Sequence, residues 1–168
     1  SHPFGKVLHI WQITSSPLYI KVVCYNEKNS VRQTKLNQRG FNVNIVYSYF
    51  VLDIVHRGHL MMLKNAKAIA GPDGRLIVGI VSDEAVLAKK GKAPILDFSE
   101  RLELASAIEF VDLVVGQQDY TPFKNVRNIA PNILMESESH DDAQIEEGRN
   151  LMDELGGRVI VLPYFQGQ

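Results

Sequence analysis

A second cysteine, a long apolar run and a surplus of either charge are all missing from this chain, and each absence removes a class of protein. Cys24 is the single cysteine in 168 residues, so no internal disulfide can form; this fits a reducing compartment, and a cytoplasmic location is expected. No stretch approaches the roughly 18 to 20 apolar residues that a membrane helix needs, and the first residues lack a basic stretch followed by an apolar one. Neither a membrane partner nor export is expected. The 18 Lys and Arg against 19 Asp and Glu leave a formal net charge of −1. They are spread along the chain, so a nucleic-acid partner is not expected either. A small anionic ligand is compatible, because a few local positive charges suffice for phosphate. Trp11 and the tyrosines show no spacing that implies base stacking, and there is no internal repeat or low-complexity tract.

What is present is the composition of an ordinary globular domain, 45% hydrophobic and 22% charged. Two stretches of different character meet near Gly40. Residues 1–42 are rich in Asn, Gln, Lys and Ser after a β-like run at Leu18-Tyr19-Ile20-Lys21-Val22-Val23. They are expected to form an arm or edge hairpin, a candidate dimer contact; Ser1-His2 is left out of the fold. From Asn42 onward, apolar β-branched runs alternate with helical patterns, as in a parallel sheet with crossover helices.

Strands are expected over 43–52, 75–81, 111–115, 132–135 and 158–162, mostly as the continuous apolar runs of strands covered on both faces. The first helix is expected over about 58–70, with Met62, Leu63, Ala66, Ile69 and Ala70 on one face, Lys64 and Lys67 turned away, and Gly71-Pro72 as its stop. A second opens with Asp97 as N-cap and Glu100 three residues on, a capping-box spacing, and is expected to bury Leu104, Ala105 and Ile108. The last, about 141–155, begins with acidic residues and ends at Gly156-Gly157. The expected fold is α/β, a doubly wound parallel five-stranded sheet over residues 43–168. Ligands of such sheets bind beyond the carboxyl ends of the strands, where strand order reverses.

The first such place carries Asp53-Ile54-Val55-His56-Arg57-Gly58-His59, leading directly into the first helix. Two imidazoles three residues apart at a helix start point to the same side, where unpaired N–H groups and the helix dipole also favour an anion. Gly58 removes a side chain that would crowd a phosphate. Together they suit the charge that develops on a phosphoryl centre under attack. A His-x-x-His spacing is also common on surfaces and could share a zinc ion, but no Cys or carboxylate follows at ligand spacing, and no metal residue is assigned.

The run resembles the G-x-F-D-x-x-H-x-G-H signature of the cytidylyltransferase-like nucleotidyltransferases, and the resemblance extends over residues 43–168. Downstream, Leu76-Ile77-Val78-Gly79-Ile80-Val81-Ser82-Asp83-Glu84 is similar to the family's second strand. Phe98-Ser99-Glu100-Arg101 and Val111-Asp112-Leu113-Val114-Val115 are similar to its E-Q-R and V-D-x-V-V elements. The resemblance implies a Rossmann-like domain that transfers a nucleotidyl group to a small phosphorylated acceptor and releases pyrophosphate. CMP transfer from CTP to a phosphorylated or phosphonate alcohol is the leading expectation. Adenylyl transfer to form an ADP-sugar such as ADP-heptose is the alternative, favoured by Glu109 and Gly156-Gly157. A catalytically weakened nucleotide-binding module is the alternative of another class, and a homodimer is expected.

By resemblance His56, His59 and Lys89 are the catalytic candidates, and Val51, Leu52, Asp53, Gly58, Lys90, Arg101 and Gly167 the nucleotide-binding ones. Mg2+ is expected to enter with the triphosphate. Alternatives stay open at several positions. Lys89 and Lys90 either neutralise phosphate charge or belong to a solvated basic loop. Arg101 either touches the nucleotide or packs between elements. Asp53 either serves a metal or holds the turn, the favoured reading. Lys124, beside Pro122 at a helix start, either reaches an acceptor phosphate or is a surface lysine. His140 reads as a cap or loop residue. The chain departs from the family at Phe50 and Leu52, which replace a glycine and an aromatic, and at Glu136-Ser137-Glu138-Ser139-His140, where Gly-Asp-Asp or Gly-Gly-Asp is usual. The family's final Ser/Thr-rich nucleotide loop is expected to be cut short after Gln168.

Overall fold

The computed structural model describes residues 22–24 and 43–163. Six parallel strands form its sheet: β1 (Val22–Cys24), β2 (Ile45–Phe50), β3 (Arg75–Val81), β4 (Leu113–Gln117), β5 (Ile133–Ser137) and β6 (Arg158–Leu162). They stand side by side in the order β1-β4-β3-β2-β5-β6. Five helices lie between them in sequence: α1 (Arg57–Ala70), α2 (Asp83–Lys90), α3 (Phe98–Ala107), α4 (Phe123–Ile129) and α5 (Asp142–Glu154).

All five strands expected beyond residue 42 are present. The fourth ladder begins at Leu113 rather than Val111 because the Asp112 carboxylate leaves the strand path, accepting the Leu76 amide at 2.7 Å and binding Lys67 Nζ at 2.6 Å. Lys67, expected to turn away into solvent, is thereby drawn into a half-buried ion pair. The sixth strand comes from the N-terminal segment. β1 pairs parallel to β4 at the edge of the sheet, Val22 opposite Leu113. It is the described part of the stretch expected as an arm or edge hairpin. The rest of residues 1–42, and Gly167, lie outside the described residues.

Because side chains alternate along a strand, each central strand feeds two cores. Val46, Val78, Ile80, Val114 and Met135 pack with Leu63 and Ala66 of α1 and Leu102 and Ala105 of α3. On the other face Tyr47, Tyr49, Ile77, Val115 and Leu134 pack with Val86 of α2, Val126 of α4 and Leu151 and Met152 of α5. Each fully buried large aliphatic contributes about 1.5–3 kcal/mol. The second core holds a polar layer as well. Tyr47 Oη donates to Gln117 Oε1 at 2.7 Å and accepts from Asn125 Nδ2 at 2.9 Å, which reconciles a phenol with complete burial. Its ring crosses β3 over Gly79, where a Cβ would lie 2.0 Å from that hydroxyl.

Two helix details differ from expectation. The stretch Lys89-Lys90 is the last turn of α2, not a loop. Ser82 Oγ caps the helix by accepting the Ala85 amide at 3.2 Å, Asp83 and Glu84 occupy its first turn, and Gly91 ends it at φ 73°. In α3 the Asp97–Glu100 capping box forms as expected, but the buried face is Arg101, Leu102 and Ala105. Leu104 and Ile108 are half-buried, because Asp83, Val51 and Leu96 engage Arg101 and set the rotation of the helix.

The chain leaves β2 for β3 and β4, then returns across β2 to β5. Strand order reverses at β2, so a crevice opens beyond its carboxyl end.

Candidate active site

A cavity of about 540 Å³ fills that crevice. It is lined from the end of β2 through Asp53 and Ile54, by His56, Gly58, His59 and Met62 of the α1 start, by Lys90 and Lys92, by Tyr120, and by Ser137, Ser139, His140 and Gln144.

The two signature histidines form the α1 cap. His56 is the N-cap in extended conformation, and its Nδ1 accepts the Gly58 amide at 3.0 Å. His59, three residues on, accepts the His56 amide at its own Nδ1 at 3.4 Å. This is a capping box in which imidazoles replace the usual Ser and Glu. The rings lie tilted by 33° with centroids 3.9 Å apart, and His59 also meets the Phe50 ring edge-on at 5.7 Å. With Nδ1 occupied as an acceptor, the neutral ring carries its hydrogen on Nε2. Burial, and then the neighbouring His56, pull the His59 pKa down to about 4. Near neutral pH, His59 is thus an uncharged donor.

Between strand and cap the backbone is strained. Leu52 takes φ 59°, a region costly for a branched side chain, while its side chain is buried in the core. Two charged groups hold this turn. The Asp53 carboxylate accepts from the Ile95 amide at 2.8 and 3.0 Å and from the Leu96 amide at 2.9 Å, contacts that hold its pKa below the usual carboxylate range. It therefore fastens a loop some 42 residues away, beyond the local turn expected of it. Arg101, wholly buried, donates to Val51 O at 2.6 Å, to Leu96 O at 3.2 Å and to Asp83 Oδ1 at 2.6 Å. Its guanidinium ties the β2 end to α2 and the 95–97 loop and does not line the cavity.

The lysines separate. Lys90 lines the cavity together with Lys92, whereas Lys89 does not and sits with Nζ 5.8 Å from the Tyr120 ring centroid. Lys124 is exposed on α4, away from the cavity lining. Val51, Leu52, Asp53 and Gly58 are all in the lining. Among the described residues no cluster of three or more His, Cys, Asp or Glu side chains could hold a metal ion. Asp53 is the lining's carboxylate, and both its oxygens are engaged by amides.

A second polar group, unassigned from sequence, reaches the cavity lining through Tyr49, His140 and Gln144. Glu136, fully buried in β5, accepts the Tyr49 hydroxyl at 2.8 Å and a short hydrogen bond from His140 Nδ1. Gln144 Nε2 donates to Tyr49 Oη at 2.6 Å. Burial and the Glu136 charge push the Tyr49 phenol far above its usual range, so it stays a donor. The available signal was a carboxylate at the end of an otherwise apolar strand.

The cytidylyltransferase-like family model matches residues 51–163. Among curated proteins, the chain is 33% identical over 137 residues to the bifunctional protein HldE of Nitrobacter hamburgensis, with 81% of this chain and 27% of that protein covered. It is 33% identical over 130 residues to the same-named protein of Coxiella burnetii, covering 77% and 26%. The chain thus spans about a quarter of the length of these relatives. Among solved structures, a lipopolysaccharide core biosynthesis protein from Thermoplasma volcanium is similar at 27% identity and TM-score 0.59, over 74% of this chain and 98% of that one. A protein of unknown function from Archaeoglobus fulgidus shares the fold at 19% identity and TM-score 0.54, over 72% and 99%. With the His56–His59 cap at the strand-order reversal and the match over residues 51–163, the chain belongs to the cytidylyltransferase-like family of nucleotidyltransferases.

Proposed function

We propose that the chain transfers a nucleotidyl group from a nucleoside triphosphate to the phosphate of a small phosphorylated acceptor. An acceptor phosphate oxygen attacks the α-phosphorus, the bond to the β-phosphate oxygen breaks, and pyrophosphate leaves with that electron pair. The observation that carries this reading is the paired cap: His56 and His59 each have Nδ1 engaged, leaving their Nε2–H donors for an anion at the α1 start. The attacking oxygen is already ionised near neutral pH, so no strong base is required, and positioning with charge stabilisation does the chemistry. Lys90 and Lys92, at the cavity rim, supply positive charge for the β and γ phosphates. Magnesium would arrive on the triphosphate and add further charge neutralisation.

ATP as donor and a sugar phosphate as acceptor is the favoured version, forming an ADP-sugar of the ADP-heptose kind. It rests on the similarity to the HldE proteins and on Glu109 and Gly156-Gly157. CMP transfer from CTP is the second version, supported by the family description. Pyrophosphate release measured with ATP and CTP against sugar phosphates, glycerol phosphates and phosphonates separates them. Equal rates with both nucleotides count against either specific version, and tight nucleotide binding without turnover would favour a binding module.

A further inference from the structure

The cavity contains three imidazoles, and their hydrogen bonds give them opposite polarity. His56 and His59 use Nδ1 as an acceptor of backbone amides, which leaves Nε2–H as the outward donor. His140 Nδ1 instead faces the buried carboxylate of Glu136, an acceptor, with the Tyr49 hydroxyl 3.2 Å away. The hydrogen of a neutral His140 ring therefore sits on Nδ1, and Nε2, on the opposite edge of the ring, bears a lone pair. The ring lines the cavity at 31% side-chain exposure while Glu136 is at 0%, and Nε2 has no hydrogen-bond partner among the described residues.

A lone pair repels a phosphate oxygen and accepts from a hydroxyl. Its neighbours in the lining, Ser137, Ser139 and Gln144, are likewise neutral donors and acceptors. Of the lining's lysines, Lys90 ends α2 and Lys92 lies just past it, after β3, which stands on the opposite flank of β2 from β5. The lining's lysines thus stand on the β3 flank, and its β5 flank carries neutral polar groups. Glu136 makes no sense as packing alone. It is buried with Oε1 unpartnered among the described residues, a costly arrangement that an apolar side chain would avoid.

We infer that His140, oriented by Glu136, accepts a hydrogen bond from a hydroxyl of the acceptor, so that the enzyme selects polyhydroxylated phosphates over phosphates lacking that hydroxyl. This rests on the proposed transfer reaction and names its acceptor class. His140 is the contact, and Glu136 is a positioning residue acting through it.

Two measurements test it. The first is the ¹⁵N imidazole spectrum of the intact protein at a pH above the ordinary histidine range. Hydrogen on Nδ1 of His140 and on Nε2 of His56 and His59 is expected, and Glu136→Gln should weaken the Nδ1 preference of His140. Hydrogen on Nε2 of His140 in the unaltered protein overturns the inference whether or not transfer is ever seen. The second is pyrophosphate release with the best hydroxylated acceptor phosphate of the panel and its deoxy analogues. His140→Ala and His140→Phe, the latter keeping a ring against Tyr49, should raise the acceptor KM about ten-fold, the worth of one hydrogen bond, with the nucleotide KM unchanged. One deoxy analogue should show the same rise with the unaltered enzyme and no further rise with the variants. Unaltered KM in a folded variant overturns the inference. If the unaltered protein turns over no acceptor at all, the transfer reading fails, and the spectrum still decides the polarity of His140.

Discussion

His56 and His59 cap one helix together, each accepting a backbone amide at Nδ1, with ring centroids 3.9 Å apart. The same two bonds that cap the helix also orient the rings, so any change to the cap also turns the Nε2–H groups. His59→Ala should lower turnover by about 100-fold or more, the usual effect of removing a donor from developing negative charge. His56→Ala should in addition destabilise the fold by about 1 kcal/mol, the worth of an N-cap. Pyrophosphate release and urea denaturation, measured on the same samples, report the two effects.

The depressed pKa of His59 sets a direction for pH. In the unfolded chain it titrates near its ordinary value of 6.5, and in the folded protein near 4. Between those values the unfolded state binds more protons, so the contribution of this residue to stability is complete above 6.5 and is lost as pH falls toward 4. Proton NMR titration should find the His59 ring with a pKa near 4 in the empty protein. Added pyrophosphate or triphosphate should move it upward, since an anion favours the charged ring. A ring titrating at the ordinary value with no ligand would contradict its burial.

The two neighbouring lysines should behave differently. Lys90→Ala removes a cation from the cavity lining and should raise the nucleotide KM about ten-fold or more, whereas Lys89→Ala, which alters a contact with Tyr120, should change it little. Steady-state kinetics with varied triphosphate distinguish them, and equal effects would contradict the placement.

Arg101 is tied to Val51, Leu96 and Asp83 inside the protein. Arg101→Ala leaves two carbonyls and a carboxylate without their donor, and should cost about 3 kcal/mol in urea denaturation. Arg101→Lys, which cannot span all three partners with a planar fork, should recover only part of this.

Gly79 and Tyr47 form a pair across adjacent strands. Gly79→Ala places a Cβ 2.0 Å from the Tyr47 hydroxyl and should destabilise by about 1–3 kcal/mol, the range for overpacked cores. In a Tyr47→Phe background the cost should shrink, because the nearest atom has gone. A double-mutant cycle reads the coupling, and additive effects would rule out the contact.

Alternation of β-branched runs with helical periods, the Asp97–Glu100 box and the His-x-Gly-His start of α1 were all readable from residues within one turn of each other, since caps and periodicity are local chemistry. Helix α2 was readable too. Ser82, Asp83, Lys90 and Gly91 carry its cap, dipole and stop signals, all within local reach of one another. Tertiary structure alone decided the rest. Arg101 became a buried brace because Val51 lies beside it, 50 residues earlier, and Asp53 fastens a loop 42 residues later. Glu136 meets Tyr49 across 87 residues because β5 returns to the free side of β2. A side chain's partner across a crossover lies in no local window, and desolvation depends on everything packed around it. The order of residues therefore determined where the histidine cap forms. Folding decided which lysine lines the crevice beside it, which charges are braces, and how a third histidine is turned.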